Sequence, residues 1–237
     1  LGGVHSRKEV KMDFLQSIIR MRLDELPFFL ITILIAFTVH EFSHAYFANK
    51  FGDPTARLLG RMTLNPKVHF DFFGIILLLI AGFGWARPVP VNRDNFSRPR
   101  LMGIIVSLAG PVSNLLLAII GCLIYGVLIA TGVFDAIPAG KGQEAAQLFL
   151  SLFTFWNFFL FLFNLIPLPP LDGYRVIEDL APRSILGRLQ RFEQWAMFLF
   201  LLIVFIPALQ ARTIGPLSMW AIMMRSDILN FFYQLFT

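Results

Sequence analysis

Long apolar runs alternate with short polar stretches along this chain, and the run lengths set most of what it can fold into. Three runs, roughly Leu26 to Lys50, Leu101 to Val133 and Ala145 to Ile166, reach the ~20 apolar residues that carry a helix across a hydrocarbon core of about 30 Å. "WAMFLFLLIVFIPAL", Trp195 to Leu209, reads as a further span. Phe72 to Gly84 is apolar for only 13 residues, which is ~20 Å of helix at 1.5 Å per residue. That is too short to cross, so the segment reads as re-entrant. The tail, Ile214 to Thr237, is apolar but holds Arg225 and Asp227, and either spans or lies flat. "FLQSIIRMRLDE", Phe14 to Glu25, mixes apolar and charged positions at helical spacing, the pattern of a helix resting at the interface.

The connections differ in kind. "FGDPTARLLGRMTLNPKVHFD" has turn formers at both ends and Arg or Thr between apolar residues, which suits a short hairpin. Such backbone cannot face lipid and has to be buried in protein. "WARPVPVNRDNFSRPR" is an extended loop with three prolines and four arginines. The expected fold is an all-α polytopic membrane protein of about four to six transmembrane helices with a re-entrant β-hairpin/loop region.

Composition agrees with this. The 237 residues are 57% hydrophobic and 15% charged, with 27 Phe and a mean hydropathy of +0.69, outside the range of soluble domains. The net charge of +5 resides between apolar segments, where basic residues orient the chain and meet anionic lipid; no nucleic-acid partner is expected. Eight Lys or Arg lie from Lys50 to Arg100, one follows Val133 before the next span, and four lie between Pro167 and Arg191. The first and third groups are therefore expected at the cytoplasmic face.

Parity with a re-entrant Phe72 to Gly84 puts the amino terminus on the far side, where Asp13, Asp24 and Glu25 offset Arg20 and Arg22. Leu1 is not an initiator and "LGGVHSRKEVK" runs into Met12. Residues 1–11 read as a remnant or upstream extension and are set aside, His5 with them, leaving 12–237 as one membrane-embedded domain. If they are native, their three basic residues favour a fully spanning Phe72 to Gly84 instead. The lone Cys122 lies in an apolar run and allows no intramolecular disulfide.

One stretch carries an unusual load. "TVHEFSHAYF" puts His40, Glu41 and His44 inside the first span, where ionisable groups are costly and mark function. His40 and His44 project from one helix face a turn apart, so both imidazoles can reach one ion. Zinc suits them, and Glu41, pointing to the side, can serve a water at the metal as general base. A catalytic zinc takes a third protein ligand. Asp172, in "FNLIPLPPLDGYRV", is the best candidate, because Pro167, Pro169 and Pro170 break the preceding helix and Gly173 frees the backbone beside the carboxylate. Glu178 and Asp179 are rivals in a more polar setting.

Together, "HEFSH", "AGPVSNLLLA" and "NLIPLPPLDG", in that order on three hydrophobic segments, resemble the site-2 protease family of intramembrane zinc metalloproteases. The resemblance runs from about Leu26 to Ala181, and "GDPTARLLGRMTLNP" and "WARPVPVN" are similar to the family's intervening hairpin and loop. With no segment long enough for a PDZ or CBS domain, the chain looks like the compact bacterial members. The resemblance implies one zinc per chain on His40, His44 and Asp172, Glu41 as acid and base, and a multi-pass protein of the bacterial cell membrane. It implies that Asn114, in "GPVSN", holds substrate or the oxyanion, an interhelical hydrogen bond being the other reading. Asn164 reads as structural, as does His69, and Gly110 with Pro111 as a close-approach point for the helix of His40.

The implied reaction is hydrolysis of peptide bonds in or near transmembrane segments of membrane proteins, with water reaching the site from the cytoplasmic side. An unwound substrate needs new backbone partners, which Thr55 to Leu64 or Pro88, Val89, Pro90 and Asn92 could supply by strand addition. A metal transporter and a non-proteolytic relative that binds membrane segments are the rival classes. The first gains nothing from Glu41 and usually shows repeated halves; the second would typically lack a ligand or Glu41.

Overall fold

The computed structural model describes residues 23–81, 84–136 and 140–237. The leading segment 1–11 and residues 14–22 of the interfacial stretch lie outside them. Among the described residues every regular element is helical. The first, α1 (Leu26–Lys50), starts with Pro27 in its opening turn, where the missing N–H has no intrahelical partner to lose. It ends at Gly52, whose φ of 102° turns the chain in a way that a side chain would resist.

The hairpin expected next does not form. Its place is taken by a single helical turn, α2 (Thr55–Leu58), and a 3₁₀ turn at Pro66–Val68. The reason lies in side chains that satisfy the backbone from outside. Asp53, fully buried, accepts from the Thr55 N–H and hydroxyl, from the Asn92 N–H at 2.7 Å and from the Asn95 amide at 2.8 Å. Arg61 reaches the Arg87 carbonyl. These contacts staple the stretch to the later "PVPVN" loop, so it needs no second strand of its own.

The short apolar run is α3 (Phe72–Ala81), about 15 Å long at 1.5 Å per residue. Its flanks meet in an antiparallel bridge between Phe70 and Ala86, and the Arg87 N–H donates to the His69 carbonyl at 2.7 Å. Flanks that meet in this way are what a re-entrant segment requires.

Next come α4 (Pro99–Ala130), the short α5 (Val133–Ala136) and α6 (Lys141–Asn164). By length and apolar character α1, α4 and α6 can each cross a membrane, as the hydropathy pattern predicts, and α8–α9 can make a fourth span if that bent pair counts as one. In α4 the buried positions include Gly103, Val106, Gly110, Asn114, Ala118, Gly121 and Cys122, a stripe of mostly small residues at three- and four-residue spacing. Small residues let helix backbones approach where apolar burial against lipid gains little, and α4 packs against α1, α6 and α9.

The chain then turns through Leu165–Leu171 into α7 (Asp172–Leu180), followed by α8 (Arg183–Phe205) and α9 (Pro207–Phe236). The expected straight span from Trp195 to Leu209 is broken. Ile206 is extended, α9 begins at Pro207, and the two helices meet at 88°. Proline cannot continue the hydrogen-bond ladder of α8 but opens a new helix readily. The tail does not lie apart: Ala221, Met224, Ile228 and Phe232 pack with Ala118, Cys122 and Phe158 of α4 and α6.

Candidate metal centre

His40 and His44 sit on the inner face of α1, each almost completely buried. Their distal sides are held. The His44 Nδ1 lies 2.7 Å from the Val106 carbonyl of α4; a carbonyl only accepts, so Nδ1 carries the proton and Nε2 a lone pair. The His40 Nδ1 lies 2.7 Å from Oδ1 of Asn114. The other end of that amide donates to the Ala36 carbonyl at 3.3 Å and to Oδ1 of Asn157 at 3.1 Å, which fixes its orientation. His40 is therefore also an Nδ1–H tautomer.

The consequence is a convergence of electron pairs. The two Nε2 atoms are 3.0 Å apart, and Asp172, the first residue of α7, brings Oδ2 to 3.1 Å from one and Oδ1 to 3.4 Å from the other. Oδ2 of Asp172 is buried with no hydrogen-bond donor of its own. Two imidazole nitrogens and a carboxylate, all within 4.8 Å of one another, need a positive charge among them, which a proton or a metal ion can supply. Among the described residues no other group of three His, Cys, Asp or Glu side chains comes together in this way.

Local sequence explains the placement. Gly110 of α4 lies against the pair so closely that a Cβ there would come within 2.6 Å of the His40 Nε2 and nearer still to that of His44. Gly173 plays the same part beside Asp172, since a Cβ there would strike the carbonyls of Leu165 and Ile166. That contact lets α7 start against the end of α6. Glu178 and Asp179, the rival ligands, are turned away and paired with Arg93 at 3.2 and 2.9 Å.

Glu41 is next to the pair and accepts the Val89 N–H on Oε2 at 3.0 Å. Both residues line a cavity of about 870 Å³ with His40, His44 and Asp172. Trp85, Pro88 and Val91 form one wall, and Phe200, Leu201 and Met197 of α8 another. Of the loop residues expected to hold substrate, Pro88 and Val89 reach this cavity, whereas Pro90 and Asn92 are not among its lining. Asn92 instead gives its N–H to Asp53.

Asn114 does not face the cavity. It is fully buried behind His40 with both ends of its amide engaged, so its geometry is that of a support for the imidazole. Asn157, which the sequence reading passed over, completes that support and donates to the Phe153 carbonyl at 2.9 Å. An Asn inside an apolar helix was its available signal. Asn164 gives its amide to the Leu160 carbonyl at 3.0 Å and lines the cavity. His69 is buried in the loop region, with Nε2 2.8 Å from the Thr63 carbonyl, and Cys122 is a buried free thiol.

A helical membrane fold with a HExxH helix facing a proline-broken carboxylate defines a class, and the comparisons agree with it. Residues 28–207 match the model of peptidase family M50. YwhC of Bacillus subtilis (strain 168), whose name presents it as a candidate zinc metalloprotease, is 46% identical over 213 residues, 89% of this chain and 93% of its own. Two proteins called Rip2, with names of the same kind, are each 30% identical. That of Mycolicibacterium smegmatis aligns over 184 residues, 74% of this chain and 66% of its own. That of Mycobacterium tuberculosis (strain H37Rv) aligns over 187 residues, 77% and 68%. No solved structure gives a significant match. The chain belongs to peptidase family M50, the site-2 protease family.

Proposed function

We propose that this chain is a zinc metalloprotease that cuts peptide bonds in or near the membrane-spanning segments of other proteins. The observation that carries the reading is the convergence of two imidazole nitrogens and the Asp172 carboxylate, with the lone pairs facing one another. Three ligand atoms at bond lengths of 2.0–2.1 Å in a tetrahedral arrangement lie about 3.3 Å apart; the separations here are 3.0, 3.1 and 3.4 Å. The donor set fits zinc, and the names of the relatives point to the same metal.

His40, His44 and Asp172 would hold the zinc, which would supply Lewis acidity towards water and a substrate carbonyl. Glu41 takes the proton of the attacking water and delivers it to the leaving amine; its Oε2 is engaged by Val89 while the carboxylate lines the cavity. Asn114 and the Val106 carbonyl hold the imidazoles in the tautomer that ligates. Apolar residues of α8 and the Trp85–Val91 loop line a space that suits an unwound apolar segment. The eight Lys or Arg between Lys50 and Arg100 favour an opening towards the cytoplasmic face.

The test pairs metal content with turnover. Purified chain is expected to hold one zinc, and Glu41→Gln to keep it while losing about 10²–10⁴-fold in cleavage of a single-span substrate. Equal cleavage by both would remove Glu41 from the mechanism, and a chain without zinc would remove the metalloprotease reading.

A further inference from the structure

We propose that Arg93 is a positioning residue for Asp172, acting through the length of α7. It rests on the metal-site reading above and extends it to a side chain outside the ligand set. Arg93 stands in the loop before α4 and forks onto the far end of α7, with Nη1 3.2 Å from Glu178 and Nη2 2.9 Å from Asp179. Asp179 is buried there only because Gly103 of α4 has no side chain; a Cβ at that position would strike its carboxylate.

An α-helix of nine residues is stiff over its ~13 Å, so fixing one end fixes the direction of the other. Asp172 is that other end. It is held locally by the Gly173 approach to the Leu165 and Ile166 carbonyls, and its first turn is tied to α8 by the Tyr174 hydroxyl on the Leu189 carbonyl and by Arg175 on Glu193, each at 2.8 Å. The Arg93 fork adds the restraint at the far end, against the α4 side.

The same side chain ties α7 to the segment that meets the general base. Arg93 follows Asn92, whose N–H is fixed by Asp53, and Val89, whose N–H is on Glu41. Arg93 thus sets the third ligand and the base-bearing wall of the cavity in one frame. A bidentate guanidinium across two carboxylates gives angular as well as distance control, which a lone lysine would not reproduce.

The experiment uses the full-length chain in nanodiscs, with zinc affinity read by chelator competition and the visible spectrum of the cobalt-loaded protein as a report on coordination. Arg93→Ala is expected to weaken zinc binding by about 10–100-fold, the usual effect of losing a ligand's support, and to change the cobalt spectrum. Arg93→Lys should recover part of it, and Asp179→Asn should weaken binding from the other partner. The decisive arm is a double-mutant cycle: in an Asp172→Ala background, Arg93→Ala should cost nothing further. An equal further loss there would mean that Arg93 acts on the fold and not through Asp172, and overturns the proposal. Unchanged zinc affinity and spectrum in both Arg93→Ala and Asp179→Asn overturns it too. Wild type without zinc, or Asp172→Ala binding as tightly as wild type, is a separate result that removes the metal-site reading itself.

Discussion

Replacing Gly110 by alanine sets two physical effects against each other. In a helix interior Ala is more favourable than Gly by about 1 kcal/mol, so propensity alone predicts a sturdier α4. The local geometry predicts the opposite for the site. The new Cβ would lie 2.6 Å from Cε1 and Nε2 of His40 and closer to Nε2 of His44, where ordinary contact begins at 3.4 Å. Either the imidazoles retreat by most of an ångström or α4 moves off α1 by as much. Neither is easy, because His40 is anchored to Asn114 and His44 to Val106 on α4 itself, and a displacement of about 1 Å costs on the order of 100-fold in rate. Zinc content by elemental analysis, thermal unfolding and cleavage of a single-span substrate together resolve the two effects. The expected result is a folded chain that cleaves at least about 100-fold more slowly and binds zinc more weakly. Wild-type zinc affinity and turnover in Gly110→Ala would show that α4 does not bear on the ligand atoms as described.

Further outcomes follow from the supports around the site. Asn114→Ala should weaken zinc binding by about 10–100-fold, whereas a donor serving only the oxyanion would lower turnover with zinc affinity intact; chelator competition separates the two. Gly173→Ala should reproduce the zinc loss of Asp172→Ala, because its Cβ meets the end of α6. Burial pushes the Asp53 carboxyl up, but the hydrogen bonds from Thr55, Asn92 and Asn95 outweigh it and hold it below the usual carboxylate value. A depressed carboxylate contributes stability above its unfolded pKa and loses it as pH falls through the lowered folded value. Asp53→Asn should therefore be less stable than wild type at neutral pH and closer to it in acid, read by unfolding midpoints against pH.

What the sequence disclosed depended on how local each signal was. α1, α4 and α6 were readable because apolar length alone specifies a span, and the His40–His44 pair because four residues on a helix fix a face. Asp172 was readable through its prolines, although Glu178 and Asp179 stayed open until Arg93 was seen to hold them. The stretch from Gly52 to Asp71 was misread as a hairpin because its conformation is set by Asp53, Arg61 and a loop some forty residues away, which no local pattern contains. The bend at Ile206 had its signal in Pro207, but the continuous apolar run around it dominated the reading. Asn114 stayed open between a substrate or oxyanion contact and an interhelical hydrogen bond, since spacing along α4 does not tell which atom of the site a buried amide meets; the amide bonds to His40, Ala36 and Asn157.

Zinc K-edge absorption fine structure on the purified chain reads the ligands of the metal directly. Scattering from two imidazole ligands with oxygen completing the coordination is expected, and a changed oxygen contribution in Asp172→Ala. A spectrum without imidazole scattering, or one that Asp172→Ala leaves as it was, would contradict the three-ligand site.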